Sequence, residues 1–441
     1  MKSPVRLFLP SAALCLFLPA ALAQTILSGP VTNPGTPDHF TVNSTTILCS
    51  PATQNVTVLE QQPGKKHIVN GCPARVLGEA VTVTGKPDKT HALVATAIET
   101  EDFKATRVDG NAVIERVETS ADGTITIQSD GYRIRITPKT KTVRLEPLNE
   151  NATIAPNLWL RYSGTQEIDG TVTATTATLS ANQLTNRQQK LNQKQEFDPS
   201  AVTEKDRQGA ASRFLLGINA KRFPAWNDAA MQQRVEVIGA KLIPAVQRTL
   251  PGNDPAKLNF RFQVVDKDKL KDAMTLTNGI ILVPRQVVER LQNDSQLATV
   301  LADNIACAME KQNFRQLPAN DFMAGASVAA TAASFFVPGL GIATGISESV
   351  AGKQMLKHAE EQSGRVSLSL LHDAGYDITQ APITWWLLDS KKPLAETTMP
   401  YRARYLYGQL ATTWRNETEA ANQGHTNPAL ITQGTAQNDS R

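Results

Sequence analysis

The stretch from Asn278 to Lys311 limits what this chain can fold into more than any other, because its hydrophobic period changes partway along it. Ile280-Ile-Leu-Val283, behind Asn278-Gly279, is a short continuous apolar run and reads as a buried strand. A helix follows and is expected to end near Asn293, where a second helix starts. Asn293 is a good N-cap and Gln296 sits three residues on, the spacing of a capping box. Leu297, Val300, Leu301, Asn304 and Ala308 then recur at helical spacing, so the second helix is expected to bury one side.

This layout resembles the zinc metallopeptidases that include HtpX and the CAAX prenyl proteases. In that family the second helix has the form E-L-A-A-V-L-A-H-E-I-A-H. Here the matching run is Gln296-Leu-Ala-Thr-Val-Leu-Ala-Asp-Asn-Ile-Ala-Cys307. The apolar letters agree and the chemical ones differ. Asp303 and Cys307 stand at the two ligand-histidine positions, and Asn304 stands at the general-base position. The motif works because residues i and i+4 share a helical face, so two imidazoles hold one Zn²⁺ while the glutamate takes a proton from its water. Asp303 and Cys307 keep the spacing, and a carboxylate and a thiolate can ligate a metal. Asn304 is an amide and accepts no proton near neutral pH, a loss that typically costs about 10²–10⁴-fold in rate. The three are therefore expected to be helix residues in a remodelled, metal-free cleft.

Two more segments carry the resemblance, which covers roughly residues 211–410. Val235, Ile238, Gly239 and Leu242 match an early helix of the family. Ala359 to Asp377 resembles E-A-D-x-x-G-x-x-x-L-x-x-A-G-Y-D. Anchoring on Ala374-Gly-Tyr-Asp377 puts Gln362 at the third ligand position and Gly364 where the family has Asp. A carboxamide is a poor zinc ligand beside a carboxylate. A one-residue shift would bring in Glu361 but breaks the Ala-Gly-Tyr-Asp register. His358 and His372, fourteen residues apart on one predicted helical stretch, are too distant to share an ion, and His39, His67, His91 and His425 lie outside the resemblance. No cofactor is expected, zinc being implied only if the divergent ligands still bind it.

The N-terminal part is of a different kind. Residues 1–23, with Lys2, Arg6, an apolar run and Ala21-Leu-Ala23, read as a signal peptide, so the mature chain is expected to be periplasmic or secreted. Removing Lys2 and Arg6 lowers the formal charge from +4 to +2, a balance that argues against nucleic acid as a partner. In an oxidising compartment Cys49 and Cys72 are the expected disulfide, leaving Cys307 over and buried in its helix.

Residues 24–60 read as a loosely ordered lead-in, and 61–182 as a β-rich domain of short alternating strands. Asp122-Gly123 and Asp130-Gly131 mark hairpin turns there. Glu79 to Gly85 followed by Leu93-Val-Ala95 mirrors Leu158 to Gly164 followed by Thr171-Val-Thr-Ala174, with the two glycines 79 residues apart. This suggests two related modules, similar to small OB-like barrels. Residues 183–210 read as a polar linker, 211–412 as the metallopeptidase-like domain and 413–441 as a disordered tail. No charge occurs from Phe322 through Ser347, which makes that segment the one suited to contact a membrane or a partner.

The expected fold class is α+β multidomain: N-terminal antiparallel β modules, then a mainly α, gluzincin-like metallopeptidase fold with a small sheet. The expected function is an exported, non-catalytic metallopeptidase-like protein that binds a peptide or a protein of the cell envelope. Its peptide would be received by strand addition at Asn278, Gly279, Ile280, Ile281, Leu282 and Val283. Two alternatives stand beside it: a zinc-dependent endopeptidase with divergent ligands, and an envelope scaffold acting through its β domain.

Overall fold

The structure, a computed structural model, describes residues 24–59, 65–101, 104–186, 188–189, 223–267, 271–312, 350–390 and 392–424. Residues 1–23, expected as a signal peptide, most of the expected 183–210 linker and the Phe322–Ser347 segment lie outside them. What is described is α+β and multidomain, with two β-barrels packed against a helical domain.

The first barrel takes β1 (Thr25–Thr36), β2 (His39–Val42), β3 (Thr45–Leu48), β6 (Ala80–Pro87) and β7 (Leu93–Glu101). Antiparallel pairs run β3-β2-β1-β6-β7, and a parallel pairing of Ile47 with Leu93 closes the ring. β4 (Gln54–Val58) continues along the same edge of β7, and β5 (Lys66–Asn70) flanks β4. The second barrel repeats this plan with β8 (Thr106–Thr119), β9 (Ile125–Ser129), β10 (Tyr132–Ile136), β12 (Leu158–Gln166) and β13 (Val172–Ala181). Ile134 pairs in parallel with Val172 to close it, and β11 (Lys141–Arg144) continues along β13. The modules are thus not purely antiparallel, because closing five strands here requires one parallel seam.

The sequence repeat has a physical basis. Gly85 and Gly164 sit at a register shift between the paired strands, where a Cβ would run into the neighbouring strand's backbone. The alanine ten residues later accepts a threonine hydroxyl in each copy: Thr53 to the Ala95 carbonyl at 2.9 Å, and Thr140 to that of Ala174 at 2.8 Å. Asn43 and Asp130 occupy matching hairpin tips, both at positive φ (53° and 56°). Each packs on a glycine, Gly29 and Gly110 respectively.

One domain boundary needs correction. Residues 24–60 are not a loose lead-in; they supply β1 to β4 of the first barrel. Pro30, Pro34 and scattered Thr and Asn mask the alternation, and two register irregularities let β1 bend. Val31, Phe40, Val42 and Ile47 nonetheless fill the barrel. Cys49 and Cys72 are joined by a disulfide, which ties the end of β3 to the end of β5.

The helical domain holds α1 (Ala229–Leu242), α2 (Ala245–Thr249), α3 (Arg285–Arg290), α4 (Asp294–Met309), α5 (Val350–Asp373), α6 (Gln380–Asp389), α7 (Tyr401–Ala411) and α8 (Arg415–Gly424). A three-stranded sheet, β14 (Arg261–Val265), β16 (Ile280–Pro284) and β15 (Met274–Thr275) in that order, lies among them. Helix α1 buries Val235, Ile238, Gly239 and Leu242, and α4 is buried along nearly its whole length. Its cap is Asn293, whose side chain accepts from Gln296 N at 2.9 Å. Gln296 reaches back one residue further than a capping box, to Gln292 N at 2.8 Å. Residues 415–424, expected within the disordered tail, form α8 instead, held by buried Trp414 and Thr418.

Leu77 of the first barrel and Val113 of the second belong to the same buried cluster as the helical core, so the domains share apolar contact. Glycines permit the close approach. A Cβ on Gly78 would collide with the Tyr407 carbonyl, and one on Gly131 with the backbone of Arg365. Among the described residues no helix is long and apolar enough to cross a membrane.

Candidate functional site

Helix α4 presents Asp303, Asn304 and Cys307 as the periodicity requires, yet each is already engaged or displaced. Asn304 is buried and its amide nitrogen donates back to the Val300 carbonyl at 2.9 Å. Cys307 is half-buried rather than buried. Asp303 forms an ion pair with Arg402, at the start of α7. The same guanidinium lies 3.5 Å from Asp272, just before β15, and its centre sits 3.2 Å from the centroid of the Trp385 ring on α6.

One cation therefore serves two carboxylates, Asp303 buried and Asp272 half-buried. Burial pushes Asp272 up to about 7, although Arg402 opposes the shift, and Asp303 adds to it. Desolvation by the surrounding protein raises Glu360 on α5, itself solvent-exposed, against the same opposition from Arg402. Burial pulls Arg402 itself downward, but Asp303 and Asp272 outweigh it and hold the guanidinium charged. Chemically, the centre is an arginine-neutralised acid cluster.

Gln362, the third of the family-matched positions, faces elsewhere. Its Nε2 donates to the Asn111 carbonyl and to Asp130 Oδ1, each at 3.1 Å, and approaches Glu310 Oε2 at 3.4 Å. Glu310 follows Asp303 by seven residues, roughly 10 Å along a helix axis. Asp303 and Gln362 thus belong to separate polar clusters and do not converge. The second cluster is an inter-domain network. Arg365 donates to Asp130 Oδ1 at 2.7 Å and to the Tyr405 hydroxyl at 2.7 Å, and Tyr162 donates to Asp130 Oδ2 at 2.9 Å.

The donor set does not fit a tetrahedral zinc site. Asp303 is held by a cation, Asn304 offers no base, and the Gln362 amide nitrogen is spent on oxygens of another domain. No group of three or more His, Cys, Asp or Glu residues suited to a metal occurs among the described residues.

The expected peptide-receiving strand is also corrected. Asn278 and Gly279 form the turn before β16, and Ile280, Ile281, Leu282 and Val283 lie in it. β16 is the central strand, with β14 along one edge from Arg261↔Ile280 to Val265↔Pro284 and β15 on the other at Met274↔Leu282 and Thr275↔Ile281. All its residues are buried. A continuous apolar run signals a strand covered on both faces, and such strands are more often central than edge.

The open space lies instead between the second barrel and helices α5 and α7. A cleft of about 900 Å³ is lined by β8 from Thr106 to Asn111, by Asp130 and Tyr132, and by α5 and α7 residues including His358, Glu361, Gln362, Arg365 and Tyr405. Asp272, Glu360, Asp130 and Arg365 carry no motif. Asp130 reads from sequence only as a turn residue, and the contrast with Asn43 at the matching tip is the one signal that separates it.

Residues 28–99, the first barrel, match a family described as a domain of unknown function (DUF5666). No curated protein matches the chain.

Proposed function

We propose that this chain is an exported, non-catalytic protein whose helical domain is a degenerate, gluzincin-like metallopeptidase fold, and that it binds a peptide or protein of the cell envelope. The carrying observation is the buried Arg402–Asp303 pair. A fixed guanidinium supplies at the first ligand position the positive charge that an ion supplies in active relatives, and it needs no metal to keep the acid cluster neutralised. The order of elements supports the fold reading: a strand, β16, leads through α3 into α4, and α5 ends in the Ala374-Gly-Tyr-Asp377 turn. Gly375 there has φ +68°, and Tyr376 N donates to the Leu371 carbonyl at 2.9 Å, the helix-ending geometry glycine favours.

Function lives in a site rather than in a fold, and here the general-base position holds an amide bonded to its own helix. Binding is the activity this leaves. The test is metal analysis of the purified mature protein together with casein digestion with and without a chelator. Substoichiometric zinc and no cleavage are expected. Stoichiometric zinc with chelator-sensitive cleavage would overturn the proposal in favour of an endopeptidase with divergent ligands.

A further inference from the structure

Strand β8 is long, and its two halves have different neighbours. β12 pairs with it from Thr106 to Val113, while β9 takes up the opposite edge only from Ile114 onward. Along Thr106 to Gly110 that opposite edge has no strand partner among the described residues. Burial changes at the same point. Arg107, Asp109 and Asn111 are exposed, whereas Ala112 to Glu115 are buried.

The direction of the backbone groups can be read from the side chains that close one end. The Asn111 carbonyl accepts from Gln362, and Val113 N donates to Glu310 Oε2 at 3.3 Å, both on the side away from β12. In an antiparallel ladder alternate residues turn both N–H and C=O to the same edge. Asp109 and Arg107 therefore present their backbone groups outward as well. This edge forms one wall of the 900 Å³ cleft, and α5 forms the other.

We propose that the cleft receives an extended peptide segment of a partner protein, added as a strand along Arg107 to Gly110. This rests on the binding function proposed above and supplies its site. An unpaired strand edge selects a polypeptide backbone, since only that offers donors and acceptors at the matching repeat of two residues. The segment is polar. Gln166, Gln312 and Gln409 face the cleft with Tyr405, and Arg107 and Asp109 neutralise each other at 3.1 Å, so neither an apolar helix nor a strongly charged chain is favoured. Gln362 and Glu310 cap the edge from Asn111 onward, which limits the added strand to about four residues, or about 14 Å.

The experiment selects binders from a phage-displayed library of random linear dodecapeptides on the full exported chain, then measures one selected peptide by fluorescence polarisation. Asp109→Pro removes an outward N–H while leaving the β12 ladder, which Val108 and Gly110 supply, and proline is tolerated at such edge positions. The expected result is affinity weakened by about tenfold. A second series keeps the protein wild-type and methylates the peptide's backbone nitrogens one at a time. Loss at alternate residues with retention at those between is expected, and it holds even if Asp109→Pro fails to fold. Equal binding by the folded Asp109→Pro variant with no alternation, or no peptide selected at all, would overturn strand addition at β8. The non-catalytic proposal fails separately, on chelator-sensitive cleavage.

Discussion

Arg365 grips Asp130 twice, through its carboxylate at 2.7 Å and its main-chain carbonyl at 3.1 Å, so a helix of the C-terminal domain holds the second barrel by a hairpin tip. The tip is a tight two-residue turn, with Asp130 and Gly131 both at positive φ (56° and 71°), which fixes the carboxylate in place. At the matching tip of the first barrel stands Asn43, whose amide donates to its own barrel, to the Ser28 carbonyl at 3.3 Å. The repeat thus differs by one charge where the second copy meets the helices.

Removing the cation alone should be costly. Asp130 is only 1% exposed, so Arg365→Met leaves a buried carboxylate with no countercharge and is expected to destabilise the protein by about 3–5 kcal/mol. Adding Asp130→Asn, the residue the first barrel uses, should recover a large part of that. Denaturant titration of the two single variants and the double variant measures the coupling. Additive losses would show that the pair does not hold the interface.

Glu115 gives a pH dependence of defined sign. It lies in β8 beside the bulge at Ile114/Arg116, buried, with one carboxylate oxygen lacking a hydrogen-bond partner. Burial raises it to about 8, with Asp373 and Asp130 adding and Arg116 opposing. The folded state keeps the proton where the unfolded state has lost it. Stability is therefore full below about pH 4.5 and falls as pH rises towards 8, by up to about 1.4 kcal/mol per pH unit from this group. Glu115→Gln should remove that slope, giving a variant whose advantage over the parent widens from pH 5 to pH 8. Denaturation midpoints at several pH values check it, and parallel curves would refute it.

The sequence makes the scaffold legible and the chemistry only partly so. Ile280 to Val283, the Asn293 cap and the Val235–Leu242 phrase are local signals, set by period and capping, and the structure has them at those positions. The β repeat is legible for the same reason, because Gly85 and Gly164 mark backbone approaches that tolerate no side chain. The first barrel's early strands are not, since bulges and prolines break their alternation. Least legible are the pairings across domains. Nothing local in Asp130, Arg365 or Arg402 says which carboxylate meets which guanidinium. Whether a buried strand is central or at an edge likewise depends on strands far off in sequence, and β16 shows the consequence.

Glycine contacts between barrel and helix give a backbone test. Gly78 has φ +85° and Gly131 φ +71°, and each faces the helical domain's backbone. Alanine at either adds about 1–2 kcal/mol of conformational strain and a steric conflict. Gly123, also at positive φ (+80°), has open space around it, so Gly123→Ala should show the strain alone. Limited proteolysis should cleave the Gly78→Ala and Gly131→Ala variants faster between domains than Gly123→Ala. Equal rates would mean that the contact surfaces yield without separating.

Writing the letters of the resembled metallopeptidases into α4 should not create a metal site. Asp303→His, Asn304→Glu and Cys307→His would place H-E-x-x-H on α4, but Arg402 would still lie against the first position with Asp272 3.5 Å away. A guanidinium there repels Zn²⁺, and Gln362 is aimed at Asp130 rather than at the helix face. The triple variant is therefore expected to bind substoichiometric zinc by elemental analysis, and so is the quadruple variant with Gln362→Glu. Replacing Arg402 as well, by methionine, removes the competing cation and leaves the half-buried Asp272 carboxylate in need of one. Zinc uptake should rise only in that last variant. If the triple variant alone bound one zinc per chain, Arg402 would not be what excludes the ion, and its pair with Asp303 would not stand in for a metal.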